Sequence, residues 1–406
     1  MKNPAIARER KQVDYHRQFH PTYFKSNDMD FLFQWTMGSS VHGGAGIGES
    51  YHTAALIKDG DPDSWSREWK ALAERVRERA ENIHGTGHRI SASDSFLRAA
   101  IYYRSALAVM SPLDLQFRSV IQQMRECFRT GGALLNSPVE SFDVNYKGAK
   151  LTGYFQRAIS EKTSCPTLIM IGGAETFSED LYYYIAPSTI KRGWNFATVD
   201  LPGQGDAPFS GTYFCSGTET PMKAIIDKLL TRHDVDPDRL AAYGISAGGY
   251  FVPRAAVYEP RIKACIANSL IPNLSIAFKK YGLSNFKGIK MRIADIRMPF
   301  KMRMMRQIAW RAGLSTERIC DLPNTMHDCF FNPSEIKCPM LILIGEGEMQ
   351  NPWSRAQQEQ GLAAFSNPNK QISIGPFNEG ASNHCMGDNL SLMSSFAFDW
   401  LEEVLQ

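Results

Sequence analysis

The chain has 406 residues, 43% of them hydrophobic and 21% charged, which suits one large folded domain or two modest ones and excludes a disordered chain. Its net charge of +3 argues for no nucleic-acid and no membrane partner. No stretch approaches the roughly 18 apolar residues of a membrane span. The opening residues, MKNPAIARERKQVDYHRQF, lack the apolar core and small-residue cleavage site of a secretory signal. Eight cysteines (Cys127, Cys165, Cys215, Cys265, Cys320, Cys329, Cys338 and Cys385) include no CxxC pair. They read as free thiols of a reducing cytoplasm, and without paired ligands no zinc site is expected.

Residues from about 50 to 130 read as helix. A run opening at Ser64 and continuing to Ala80 puts Trp65, Trp69, Leu72, Ala73 and Val76 on one face, the spacing of an amphipathic helix. Ser91 or Ser93 is positioned to cap the next helix, which carries Phe96, Leu97, Ala100, Tyr103, Ala106 and Leu107, and Pro112 marks a break. After Pro138 the pattern changes. Phe142–Tyr146 and Lys150–Arg157 read as a hairpin about Lys147-Gly148. Short apolar runs then alternate with helical stretches: 167–171, 195–199, 240–243, 263–267, 340–344 and 371–374 are the strand candidates. Such runs separated by helices predict a mostly parallel sheet covered on both faces. Between roughly 271 and 330 the alternation is lost, and a segment rich in basic residues and methionine reads as an inserted helical lid. Its methionines (Met291, Met298, Met302, Met304, Met305) fit core packing better than a ligand site. The division is therefore 1–137, a helical cap region, and 138–406, an α/β catalytic domain carrying the 271–330 insertion.

The strongest local signal is Gly244-Ile245-Ser246-Ala247-Gly248, with an apolar strand before it and a helix after it. A serine at such a turn is exposed on a strained backbone, and the helix N-terminus behind it favours a developing oxyanion. The alternative is a glycine-rich turn whose serine only caps a helix. Pro253 removes a helix hydrogen bond and predicts a local bend. A serine hydroxyl needs a base. Of nine histidines, only His384 follows the last predicted strand. His233 precedes the nucleophile strand and His327 lies in the insertion. The orienting acid should follow strand 340–344, where Gly345-Glu346-Gly347-Glu348 points to Glu348, with Glu346 as its rival. The order serine, acid, histidine is that of the α/β-hydrolase fold. The backbone N–H of Ala247 and one from Gly173 or Ala174 are the oxyanion-hole candidates. Glu175 either contacts substrate or holds its loop in place. Asp200-Leu-Pro-Gly203-Gln-Gly205 lacks the third glycine of a dinucleotide fingerprint and reads as a structural loop.

Several stretches resemble one branch of the α/β-hydrolases. They are Asp59-Gly-Asp-Pro-Asp-Ser-Trp65 with Glu68-Trp69, Gly87-His-Arg-Ile-Ser-Ala92, Arg98-Ala-Ala-Ile-Tyr-Tyr-Arg104, Gly172-Gly-Ala-Glu175, Asp200-Leu-Pro-Gly-Gln-Gly205, Gly244-Ile-Ser-Ala-Gly-Gly-Tyr-Phe-Val-Pro-Arg254 and Arg261-Ile-Lys-Ala-Cys-Ile-Ala-Asn268. The branch holds 2,6-dihydroxypseudooxynicotine hydrolase and the hydrolases that shorten polyketides in fungal pigment and bacterial anthraquinone synthesis. The resemblance implies hydrolysis of a C–C bond in a 1,3-dicarbonyl, a small-molecule ketonic substrate, no cofactor, a helical N-terminal cover and a homodimer. It carries Ser246 and His384 over as nucleophile and base. Members commonly use aspartate as the acid, whereas this chain has glutamates. Tyr102 and Tyr103 are candidates for a pocket wall; adjacent on a helix, they point about 100° apart, so at most one faces substrate. A carboxylesterase or thioesterase would use the same triad. A non-catalytic binding protein is opposed by the intact Ser246 and His384.

Overall fold

The computed structural model describes residues 16–405. Ten strands are found among them: β1 Val139–Ser141, β2 Val144–Tyr146, β3 Ala149–Leu151, β4 Gly153–Gln156, β5 Cys165–Ile171, β6 Asn195–Val199, β7 Val235–Ile245, β8 Ala264–Asn268, β9 Met340–Gly345 and β10 Lys370–Gly375. Eight form one sheet in the order β1-β4-β6-β5-β7-β8-β9-β10. The run from β6 to β10 is parallel, while β4 pairs antiparallel with both β6 and β1. β5, β6, β8 and β9 are buried at every position, as strands covered on both faces must be. This is the mostly parallel sheet, covered on both faces, that the apolar runs predict.

The hairpin differs from expectation in one respect. Lys147 and Gly148 both have positive φ, 48° and 80°, the turn that matches strand twist. However, the second arm divides at Thr152. β3 pairs with β2, and β4 crosses into the main sheet. Antiparallel β1 at the sheet edge has no counterpart in the sequence reading, because three residues carry too little periodicity.

Among the described residues, five α-helices precede the sheet: α1 Asn27–Gly38, α2 Ile47–Leu56, α3 Pro62–Gly85, α4 Arg89–Leu107 and α5 Phe117–Ala133. Asp61 caps α3, accepting from the N–H groups of Asp63 and Ser64. Trp65, Trp69, Ala73 and Ala80 are fully buried along its inner face. The serine cap expected for α4 is absent. That helix starts at Arg89, and Ser93 instead donates to the Gly131 carbonyl of α5. Within the sheet region, α6 Ser178–Lys191, α7 Glu219–Leu229 and α8 Gly248–Tyr258 follow β5, β6 and β7. The chain between β8 and β9 is helical, with α9 Leu274–Lys280, α10 Gly288–Arg297, α11 Pro299–Arg311 and α12 Leu322–Thr325. Met302 and Met304 pack in the core. Then come α13 Glu346–Met349, α14 Pro352–Ala364 and α15 Leu390–Val404.

The N-terminal helices are joined to the rest by buried charge and hydrogen bonds. Arg104 donates to Asp180 of α6 at 2.6 Å. Arg125 reaches Glu179 at 3.3 Å and Asp200 at 3.1 Å. Gln307 of α11 donates to the Leu107 and Met110 carbonyls, each at 2.7 Å. Removing these helices would strand three buried carboxylates and bare the apolar faces above them. Breaking one buried pair already costs about 3–5 kcal/mol. Deleting residues 1–130 is therefore expected to give insoluble or inactive protein, checked by soluble yield and size-exclusion profile. A soluble, fully active remnant would show that the two regions are independent.

Candidate active site

The site begins where β7 passes into α8. Ser246 sits between them with φ 53°, a left-handed conformation that costs a side-chain-bearing residue of order 1–3 kcal/mol. The turn is held by Ser246 N–H donating to the Asn268 carbonyl at 2.7 Å and by Gly249 N–H donating to the Ser246 carbonyl at 2.8 Å. Glycine is required around it. A Cβ on Gly244 would lie 2.0 Å from the Gly248 oxygen, and one on Gly249 would lie 1.7 Å from the Ser269 oxygen. α8 runs through Pro253, and the carbonyl that this proline leaves without an intrahelical donor, that of Gly249, accepts from Ile271 N–H at 3.0 Å.

The loop after β5 lies against this turn. A Cβ on Gly173 would approach the Ser246 Cβ to 2.7 Å, so only glycine lets the two backbones come this near. Gln204, from the Asp200–Gly205 loop, donates to the Gly172 and Gly173 carbonyls at 2.7 and 2.8 Å. That loop is anchored in turn: fully buried Arg311 of α11 donates to the carbonyls of Gly203 and Gly205, and Asp200 accepts from the backbone and hydroxyl of Ser178. The Glu175 carbonyl accepts from Arg104 at 3.0 Å, so its loop is held through the backbone. Glu175 lines the cavity beside Ser246, together with Ala174 and Ala247.

His384 follows β10 in a tight turn whose next two residues, Cys385 and Met386, are also left-handed. Its Nδ1 lies 2.8 Å from the Glu348 carboxylate, and both side chains are buried. Backbone packing makes this pair. A Cβ on Gly345 would lie 2.2 Å from the Ser382 oxygen, and Gly347 N–H donates to that same oxygen at 3.0 Å. The chain leading to His384 thus lies directly on the turn carrying Glu348. Glu346 projects elsewhere, exposed, and accepts from Phe377 N–H at 2.8 Å. Burial disfavours a charged His384, but its neighbours Cys385 and Glu348 outweigh that and raise the imidazole well above its ordinary range. His233 and His327 are both exposed.

Ser246 and His384 line one cavity with Ala174, Glu175 and Ala247. Its remaining walls are mostly apolar and come from the segment after β8: Ile271, Leu274, Phe278, Leu283, Met305 and Ile308. Met305 thus lines the cavity, although core packing was the favoured reading of the methionines in this segment. Tyr102 and Tyr103 are not brought to it. Tyr102 donates to Glu49 at 2.6 Å and is fully buried among the N-terminal helices, as is Tyr103. An aromatic pair on a helix buried on nearly every side packs its neighbours, which corrects the expectation that either lines this pocket. The sequence reading missed His16, which also lines the cavity. Its Nδ1 lies 2.7 Å from Asp28, and its ring stacks on Phe31 at 4.3 Å. No spacing or motif marks it. Among the described residues, no cluster of three or more His, Cys, Asp or Glu side chains could hold a metal ion. Nor is any helix among them long and apolar enough to cross a membrane.

The sheet order and the serine turn at the end of β7 define an α/β-hydrolase. A family model described as esterase FrsA-like matches residues 49–283, and the chain belongs to that family of enzymes. It is 30% identical to 20-hydroxy-prefusarin hydrolase FUS2 of Gibberella moniliformis, over 93% of this chain and 97% of the relative. It is 29% identical to hydrolase LUC6 of a Fusarium species, over 96% and 98%. Among solved structures, 2,6-dihydroxy-pseudo-oxynicotine hydrolase superposes with a TM-score of 0.70 at 21% identity, covering 91% of this chain and 95% of that one. AbyA5 does so with 0.59 at 17% identity, covering 86% and 87%; both are likenesses of fold.

Proposed function

We propose that this enzyme hydrolyses a C–C bond in a 1,3-dicarbonyl compound, shortening a polyketide in secondary metabolism. The observation that carries the reading is one cavity in which Ser246, the His384–Glu348 pair and the Gly173–Ala174 loop meet a mostly apolar wall. Names among the relatives and fold neighbours, 20-hydroxy-prefusarin hydrolase and 2,6-dihydroxy-pseudo-oxynicotine hydrolase, support a small-molecule substrate. In this scheme Ser246 attacks one carbonyl while His384, oriented by Glu348, takes its proton. The backbone N–H of Ala247 and that of Gly173 or Ala174 hold the oxyanion. Collapse breaks the C–C bond, whose electron pair leaves as an enolate, and the His384 proton passes to the departing carbon. Water, activated by the same histidine, then frees the acid from Ser246. Glu175 contacts substrate from the side of the oxyanion loop. The N-terminal helices and the 271–330 insertion act as cover. The eight free cysteines suit a cytoplasmic location. The exposed apolar side chains Ile289, Ile293 and Ile296 of α10 suit a homodimer.

A carboxylesterase or thioesterase is the second reading, favoured by the family's description as esterase-like. The test incubates enzyme with an aromatic 1,3-diketone and, separately, a short-chain aryl ester, and identifies products by mass. A ketone and an acid from the diketone are expected. Brisk ester hydrolysis with no diketone cleavage at any chain length would establish the second reading instead.

A further inference from the structure

The cavity holds a second histidine–carboxylate pair that the triad does not use. His16 is buried and lines the same cavity as Ser246 and His384. Phe31 touches both imidazoles, stacked on His16 at 4.3 Å and tilted against His384 at 6.2 Å. Asp28, 2.7 Å from Nδ1, fixes that nitrogen as the inner donor. Nε2 has no hydrogen-bond partner among the described residues. Burial pushes Asp28 towards its neutral form, but the hydrogen bond and charge of His16, with Lys301 nearby, hold its carboxyl below the usual range. The carboxylate on Nδ1 leaves Nε2 to face an apolar space, where a donated hydrogen bond is worth most. The segment carrying it is tied to the histidine turn. Asn383, next to His384, donates to Gln18 at 2.9 Å and to Gln34 at 2.7 Å.

The C–C reading poses a chemical need that an ester does not. The oxyanion hole serves the carbonyl under attack. The second carbonyl becomes the enolate oxygen and needs its own donor. We infer that His16, carrying a proton on each ring nitrogen against the Asp28 carboxylate, is a second donor in this reaction: its Nε2–H holds the substrate oxygen that becomes the enolate oxygen, with Asp28 as its positioning residue. As the C–C bond breaks, its electron pair becomes the enolate C=C bond and the carbonyl pair moves onto oxygen. That oxygen is held as an enolate by the Nε2–H hydrogen bond. The departing carbon then receives the proton that Ser246 gave to His384, and the carbonyl re-forms with the Nε2 proton still in place. His16 ends as it began, and no co-reactant is consumed.

This assignment rests on the C–C hydrolase reading, so its test has an arm independent of turnover. Benzoylacetone, whose enolate is distinguished by its ultraviolet absorption, is bound to a Ser246→Ala variant at neutral pH. We expect an enolate band, the proton between the two carbonyls passing to the buffer, that a Ser246→Ala/His16→Gln double variant loses and a Ser246→Ala/Asp28→Asn variant weakens. In the Ser246-intact enzyme, His16→Gln is expected to lower kcat on an aromatic diketone about 10²-fold, the low end for removing one oxyanion donor. Hydrolysis of an aryl ester should fall less than about tenfold, because its leaving oxygen is not an enolate. Equal losses on both substrates, or an enolate band that survives His16→Gln, would overturn the assignment. If the parent enzyme cleaves esters and no diketone, the C–C reading fails by itself, and the enolate band still judges His16. Should His16→Gln prove insoluble, Asp28→Asn decides by the same two readouts.

Discussion

Ser246→Ala is expected to fold like the parent and to lose turnover by about 10⁴-fold or more, the scale at which a serine nucleophile's removal registers in such triads. The fold should survive because the turn is held by backbone groups. Asn268 and Gly249 bond to the main chain of residue 246, and the neighbouring glycines make the room. Alanine at φ 53° carries the same backbone strain as serine, so stability should change little. The check pairs steady-state kinetics with a fluorophosphonate probe read by intact mass. The parent should gain one label and the variant none. A variant that keeps its activity, or that labels as the parent does, would remove Ser246 from the chemistry.

Glu348→Gln is the second large effect. The carboxylate at 2.8 Å both orients the imidazole and stabilises its charged form, and an amide there can hold the ring in the wrong tautomer. Turnover should fall by about 10³–10⁴-fold. Glu346→Gln should fall far less, because that carboxylate is exposed and accepts from the Phe377 backbone. The two variants also separate by pH. A histidine base works as neutral imidazole, and in the parent Cys385 and Glu348 raise His384 against the pull of burial. The ascending limb of kcat/KM against pH should therefore lie above the ordinary histidine range. Removing the Glu348 charge lowers the imidazole and moves that limb to lower pH. Glu346→Gln should leave the limb where it is. The reverse ranking in rate and in pH profile would transfer the acid to Glu346.

The parallel sheet, the serine turn and the position of the histidine after the last long strand were legible in the residues alone. Each is a short-range consequence. Apolar runs such as Met340–Gly345 can only be buried on both faces, and Gly244 and Gly248 about Ser246 are a local steric requirement of one tight turn. The two glutamates of Gly345-Glu346-Gly347-Glu348 stand two residues apart with the same chemistry. What separates them is the packing of residues 382–383 onto Gly345 and Gly347, a contact between chain segments more than thirty residues apart. Tyr102 and Tyr103 lie on a helix buried on nearly every side, so periodicity could not say which face meets the cavity. His16 carries no motif. Only the folding of the N-terminal segment onto Asn383 and Phe31 brings its ring to the serine and histidine. Local sterics and hydrophobic pattern thus determined the elements and the serine turn, whereas long-range packing decided which carboxylate meets the histidine and which side chains line the pocket.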